Sequence, residues 1–144
     1  MKKPGSVVEF SHKRDDELWR AYRRAIAESG VVTADRLYTL TAASPTTRFW
    51  VSERRASEVM GAMLRGVSIE NMSQTKKEMF AEIFRRFSDY RHKFPASSIY
   101  EATFAAVNSP APKFYLTPNS VKIILYQIRR KRREARNTLN TAAI

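Results

Sequence analysis

The sequence contains no cysteine, only four glycines and no long run of apolar residues. The absence of cysteine excludes disulfide frameworks, cysteine-based zinc sites and thiol nucleophiles, and it is typical of a reducing compartment. Four scattered glycines form no Gly-rich phosphate loop. No stretch has the length of a signal-peptide core or a membrane span. The sequence therefore predicts a cytoplasmic protein without membrane contact.

Residues that carry chemistry are also few. His12 and His92 stand in different contexts, and we find no paired acid at the spacing of a metal site or a catalytic triad. Asp15, Asp16 and Glu17 precede a helical pattern, where carboxylates cap the helix and complement its dipole. We therefore expect a non-enzymatic protein with no catalytic residue, no metal and no cofactor.

The composition is that of a globular protein with a strong positive charge. A chain of 144 residues with 43% hydrophobic and 11% aromatic residues can bury a core as one ordinary domain. Its net charge is +12, of which +7 lies between Ala102 and the C-terminus. A charge excess of this size attracts polyanions such as nucleic acid, anionic lipid or an acidic protein partner.

An internal repeat organises the chain. At an offset of 65 residues, the segment 44–52 (SPTTRFWVS) aligns with 109–117 (SPAPKFYLT), and seven of nine positions are identical or similar. Residues 18–22 align with 83–87, and 56–63 align with 121–128. Between these anchors the register is ambiguous by a residue or two. A repeated supersecondary unit is the simplest explanation of such a match.

Each copy has the apolar spacing of three helices. The predicted helices cover residues 17–28, 34–43 and 53–65 in the first copy, then 76–92, 99–108 and 118–136 in the second. We predict an all-α fold, a tandem duplication of a three-helix unit packed as one compact body with a basic C-terminal helix. The predicted organisation is a flexible arm at 1–14, repeats at 15–66 and 75–137, a joint at 67–74 and a flexible tail at 138–144.

Several residues have the signature of helix ends. Gly66 is predicted to end the first unit. The first helix has an apolar stripe predicted to be buried: Leu18, Trp19, Tyr22, Ala25 and Ile26. The predicted N-terminal caps are Thr33, Ser52, Thr75 with Glu78, Ser98 with Glu101, and Thr117 followed by Pro118.

The repeated turn carries a basic residue and two aromatics. Arg48 and Lys113 stand on loops stiffened by proline, which suits a phosphate contact, although a solvated charge has the same pattern. The aromatic residues that follow are interpreted as core anchors between the second and third helices: Phe49 and Trp50, then Phe114 and Tyr115.

A short second helix that leads into an Arg-rich third helix resembles the layout of helix-turn-helix and homeodomain-like modules, and the tandem arrangement resembles Myb-type repeats. The resemblance implies that a third helix enters the major groove of DNA. No residue role is taken from it. Arginines on the first helices, at 20, 23, 24, 85 and 86, could add backbone contacts or form the solvated side of an amphipathic helix.

The third helix of the second copy is much more basic than that of the first. Asn, Gln and Arg are the side chains that read base edges, and five consecutive basic residues exceed what a helix dipole requires. The predicted nucleic-acid-binding residues are Lys113, Asn119, Lys122, Gln127, Arg129, Arg130, Lys131, Arg132 and Arg133, with Arg48, Arg54 and Arg55 in the first copy.

These features predict a non-enzymatic protein that binds nucleic acid, with double-stranded DNA favoured over RNA. Its role would be that of a transcription regulator or an accessory factor of a mobile element. The alternative is a protein-interaction or assembly module, or a homo-oligomer, whose basic tail docks on an acidic partner. Exposure of Trp50 and Tyr115 would favour that alternative, because surface aromatics mark interfaces.

Overall fold

The computed structural model describes residues 4–30 and 32–142, with side chains described at 10–30 and 32–140. In this part of the chain six α-helices are present and no strand is formed, so the all-α prediction is confirmed. The helices are α1 (Pro4–Ser29), α2 (Ala34–Ala42), α3 (Glu53–Leu64), α4 (Gln74–Lys93), α5 (Ile99–Val107) and α6 (Pro118–Ala142).

The first and last helices are longer than predicted. α1 begins at Pro4 and includes most of the predicted flexible arm, and α6 continues to Ala142 through most of the predicted flexible tail. Proline is favourable in the first turn because that position needs no N–H donor. Neither 6–29 nor 119–142 contains glycine or proline, so nothing interrupts either helix. The remaining predicted arm (1–3) and tail (143–144) lie outside the described residues.

The chain divides into two packing units that differ from the predicted repeats. The terminal unit, Met1–Ser44 with Leu116–Ile144, contains α1, α2 and α6. The central unit, Pro45–Tyr115, contains α3, α4 and α5. Each unit thus combines the first two helices of one predicted repeat with the third helix of the other. The repeats at 15–66 and 75–137 stay a prediction about sequence and ancestry, distinct from this grouping by packing.

The long turns between the second and third helices of each predicted repeat explain why the two repeats exchange their third helices. Residues 43–52 and 108–117 form no helix, and a ten-residue connection containing proline carries the next helix away from the one before it. In the central unit the two turns pair through an isolated antiparallel bridge between Thr46 and Ala111. The two N–H to O=C distances are 3.0 and 2.9 Å, and the paired residues are 65 positions apart.

Most predicted helix ends are confirmed. The Oγ atoms of Thr33, Ser52, Ser98 and Thr117 accept the backbone N–H three residues later, at 3.2, 3.1, 3.0 and 3.1 Å respectively. Gly66 has φ +81°, and the N–H groups of Gly66 and Val67 bond to the last turn of α3 in a Schellman motif. The Thr75 capping box is wrong. α4 begins at Gln74, whose amide instead donates to Glu78 at 3.1 Å.

The central unit has a core built from all three of its helices. α4 contributes the predicted apolar stripe, with Ile83 and Phe87 fully buried. Phe49, 1% exposed, stacks on Tyr115 with ring centroids 5.8 Å apart, which confirms Phe49 as a core anchor. Tyr115 has φ +56°, a conformation that L side chains rarely adopt. Its half-buried ring packs against the core.

The terminal unit buries one face of α1 against α2 and α6. Leu18 and Tyr22 are buried as predicted, and α6 contributes a stripe that ends at Ile128. The prediction for the rest of the α1 stripe is wrong. Trp19 is half-buried and Ile26 is 45% exposed, because both lie at the edge of the face that contacts α6. This edge is where the candidate site lies.

Candidate nucleic-acid interface

The basic half of α6 extends beyond the buried part of that helix. Ile128 is its last buried side chain, and residues 129–140 are all exposed. The five consecutive basic residues begin immediately after Ile128. At 1.5 Å per residue, the exposed segment 129–140 is about 18 Å long. The helix therefore presents a rod of high positive charge to solvent.

Part of this charge faces α1. Arg129, Arg132, Arg133 and Arg136 recur at the spacing of one helix face. Together with two α1 residues one turn apart they surround a cleft of about 320 Å³, which we call the arginine cleft. Its lining residues are Trp19, Arg23, Arg129, Arg132, Arg133 and Arg136.

Two of the arginines are held in place by α1 aromatics. The guanidinium of Arg129 donates to the Tyr22 hydroxyl at 2.7 Å and lies 5.2 Å from the centre of the Tyr22 ring. The guanidinium of Arg132 lies 4.8 Å from the centre of the Trp19 ring. Cation–π contacts of this kind fix the direction of an otherwise mobile side chain. The aromatic pair thus forms a rigid wall with two oriented cations.

The other three arginines bond to nothing within the described part of the chain. Arg23, Arg133 and Arg136 are exposed and make no hydrogen bond or ion pair there. No carboxylate of the described side chains lines the cleft, since Glu134 bonds to Arg130 at 3.2 Å on another side of α6. Like charges three and four residues apart cost an isolated helix about 0.2–0.5 kcal/mol per pair. An anion in the cleft would relieve that repulsion and accept several guanidinium hydrogen bonds.

An apolar lobe adjoins the arginine cleft. Its volume is about 310 Å³, and it shares Trp19, Arg23 and Arg129 with the cleft. Tyr22, Ile26 and Ala27 complete its lining. A single groove between α1 and α6 therefore passes from an apolar end to a cationic end.

The remaining residues predicted on α6 are exposed but occupy different sides of the helix. By the 3.6-residue period, Lys122 lies on the same side as Arg129 and Arg133. Gln127, Arg130 and Lys131 point away from the cleft, and Asn119 lies in the first turn. The predicted α6 set is thus split between the cleft and the opposite surface.

The predicted residues of the central unit have contacts of their own. Arg48 is mostly buried, donates to the carbonyls of Phe49 and Val51 at 3.0 and 2.8 Å, and lies 3.4 Å from Glu53. Lys113 pairs with Glu78 at 2.9 Å, and this cation helps lower the pKa of the Glu78 carboxyl below its ordinary value, after the larger effect of the Gln74 amide. Arg48 therefore bonds within its own turn, whereas Lys113 joins its turn to α4.

Other arginines of the central unit are paired with acids. Arg54 and Arg55 are exposed and lie 3.5 and 3.7 Å from Glu58. Arg85 donates hydrogen bonds to Glu82 and thereby lowers the pKa of that carboxyl below its ordinary value. Arg86 also bonds to Glu82, to Ser109 at 2.9 Å and to the Pro110 carbonyl. In this unit positive and negative charges are interspersed.

Sequence reasoning missed two residues of the arginine cleft and undervalued a third. Trp19 has the spacing of the buried stripe, Arg136 lies beyond the run of five basic residues, and Arg23 is predicted only as a contact secondary to α6. The spacing of residues 129, 132, 133 and 136 was the available signal, because it places four arginines on one face of α6.

The structure describes no helix with the length and apolar character needed to cross a membrane. Nor do its described residues contain a cluster of three or more metal-binding side chains. His12 Nε2 lies 3.8 Å from Asp16 on an exposed part of α1. Comparisons with known protein families, curated proteins and solved structures found no match.

Proposed function

We propose that the protein binds nucleic acid, in the first instance DNA, through α6 and the arginine cleft. The observation that supports this most strongly is the convergence of five guanidinium groups on a cleft whose described lining contains no carboxylate. Guanidinium groups match phosphate oxygens in a bidentate geometry and remain charged at all physiological pH values. A polyanion with repeated phosphates suits both the cleft and the exposed basic helix next to it.

The dimensions of α6 support the same proposal. Its exposed segment of about 18 Å matches the rise of roughly five base pairs along a duplex, and a helix fits the width of the major groove. Gln127 and Lys131 lie on the outer side of α6, where they are exposed to base edges or phosphates, and Arg130 lies beside them in an exposed ion pair with Glu134. We propose a non-catalytic role as a regulator or mobile-element accessory factor, with a duplicated three-helix unit as its ancestor.

A titration of fluorescently labelled duplex DNA at several salt concentrations tests this proposal. Binding through phosphate contacts predicts that the logarithm of the association constant falls linearly with the logarithm of salt concentration. The expected slope is about −0.9 for each phosphate contact. Absence of binding at low salt, or a constant that does not change with salt, would contradict the proposal.

A second candidate function is protein interaction, and one observation in the central unit favours it. Tyr100 and Phe104 are 55% and 50% exposed on α5, with ring centroids 6.4 Å apart. Neighbouring exposed aromatics are typical of interfaces. Trp50 and Tyr115 do not add to this patch, because Trp50 is half-buried with its Nε1 bonded to Thr46 at 2.8 Å, and Tyr115 stacks on Phe49.

The two candidates predict different competitors for the basic helix. Polyglutamate and unlabelled duplex are each used to displace labelled duplex, at concentrations expressed per negative charge. If the cleft binds nucleic acid, polyglutamate should displace labelled duplex only at a much higher concentration than unlabelled duplex does. Equal displacement would favour a module that docks acidic proteins. Light scattering of the wild-type chain and of Tyr100→Ser/Phe104→Ser then shows whether the α5 aromatics mediate self-association.

A further inference from the structure

The groove between α1 and α6 has two chemically distinct ends, and its total space suits a ligand larger than a phosphate ion. The cationic end is the arginine cleft, and the apolar end is bordered by Tyr22 and Ile26. Trp19 belongs to both ends. A plain polyanion would use only the cationic end, so the apolar end requires a separate explanation.

We infer that this groove holds a single unstacked nucleotide, with its base against Trp19 and Ile26 and its phosphate among the arginines. The inference rests on the proposed function and specifies its ligand as a single-stranded or terminal nucleotide. A nucleotide has an apolar aromatic face and an adjacent phosphate, which matches the change of chemistry along the groove. Aromatic and guanidinium surfaces are the platforms on which proteins stack unpaired bases.

The order of contacts along the groove supports this assignment. Arg129 is fixed at the junction of the two ends by its hydrogen bond to Tyr22. Arg23 and Arg136 line the cationic end and make no other polar contact within the described residues. A base in a duplex is stacked on both faces and cannot enter such a groove without leaving the helix. The groove therefore selects for single strands, ends or already unpaired positions.

Trp19 fluorescence in the full chain tests this inference. Three ligands are compared: a short single-stranded oligothymidylate, an abasic oligonucleotide with the same number of phosphates, and a hairpin duplex whose loop and open end are both closed by non-nucleotide linkers, so that it offers no unpaired base. The oligothymidylate should quench Trp19 and bind roughly 5- to 150-fold more tightly than the abasic strand, as expected for one stacked base. Quenching should disappear in Trp19→Phe and persist in Trp50→Phe.

A matched pair of variants examines the apolar end. Ile26 and Ile123 are 45% and 49% exposed, and only Ile26 lines the groove. Ile26→Ala should therefore reduce the preference for the oligothymidylate over the abasic strand, whereas Ile123→Ala should leave that preference unchanged. Because both side chains are largely exposed, neither change should prevent folding.

The outcomes separate this inference from the proposed function. Salt-dependent binding of all three ligands, without a base preference or a change in Trp19 fluorescence, would overturn the nucleotide groove and leave nucleic-acid binding intact. Tighter binding of the hairpin than of the oligothymidylate would also overturn the nucleotide groove and leave nucleic-acid binding intact. Failure of every ligand to bind at low salt would overturn both.

Discussion

Removing the three cleft arginines that bond to no other described side chain should weaken nucleic-acid binding strongly without affecting folding. The variant is Arg23→Gln/Arg133→Gln/Arg136→Gln. These side chains are exposed and make no intramolecular hydrogen bond or ion pair within the described part of the chain, so their loss leaves no buried group unsatisfied. Thermal stability should stay the same or rise slightly as like-charge repulsion on α6 decreases.

The size of the expected loss in nucleic-acid affinity follows from counterion release. If the three arginines neutralise the phosphate in the groove and one on each side of it along the strand, their loss should make the dependence of log K on log salt shallower by about 2–3, at roughly 0.7–0.9 per contact. The counterion-release contribution to binding vanishes at about 1 M salt. At about 0.1 M salt the variant should therefore bind roughly 100- to 500-fold more weakly than the wild-type chain. Fluorescence anisotropy with labelled single-stranded and duplex DNA at four or more salt concentrations measures both quantities.

A control variant carries the same change of net charge. Arg54→Gln/Arg55→Gln/Arg65→Gln neutralises three exposed arginines on or next to α3. If the cleft is the binding site, this control should change affinity by only a few-fold. Equal losses and equal changes of slope in the two triple variants would refute the reasoning, because general charge rather than the cleft would then determine binding.

Three further predictions concern stability. Phe49→Ala should cost about 3–5 kcal/mol in chemical denaturation, because the ring is 1% exposed, and a cost under 1 kcal/mol would contradict its role in the core. The pKa of Glu82 is lowered from 4.5, so the carboxylate stabilises the fold above that pH and loses its effect as pH falls. Glu82→Gln should therefore lower Tm at pH 7 and reduce the fall in Tm between pH 5 and pH 3; an unchanged acid profile would argue against the ion pair. Gly66→Ala should destabilise the protein by about 1 kcal/mol because φ at this position is +81°, whereas Gly61→Ala within α3 should stabilise it by roughly 0.5–1 kcal/mol. The same sign for both changes would refute the different roles given to the two glycines.

Most of the secondary structure was predictable from local chemistry. Apolar residues at helical spacing and hydroxyl caps such as Thr33 and Ser52 act within one or two turns, so the sequence alone indicates them. The exchange of third helices was not predictable in this way. The apolar face of α3 would suit packing on α2, as predicted, as well as packing on α5, as observed. Long-range packing decides which of these two arrangements forms.

The candidate site was predictable only in its charge. The run from Arg129 to Arg133 indicated a basic surface, but its division into a cleft face and an outer face depends on which helix packs against α6. Trp19 has the spacing of a buried residue and becomes a wall of the groove only because α6 covers part of its ring. A hydrogen bond such as Arg129 to Tyr22 joins residues too far apart in sequence for local patterns to reveal.

The bridge between Thr46 and Ala111 has a consequence for the order of folding. The terminal unit is assembled from segments separated by the whole of Pro45–Tyr115, and closing a flexible loop of about 70 residues costs about 4 kcal/mol in chain entropy. Once the central unit has folded, the bridge holds the two ends of that unit side by side. The loop is then already closed, so its entropy cost no longer opposes folding of the terminal unit. We therefore expect amides of α4 and α5 to gain protection from hydrogen exchange before those of α1, and the basic groove to form last.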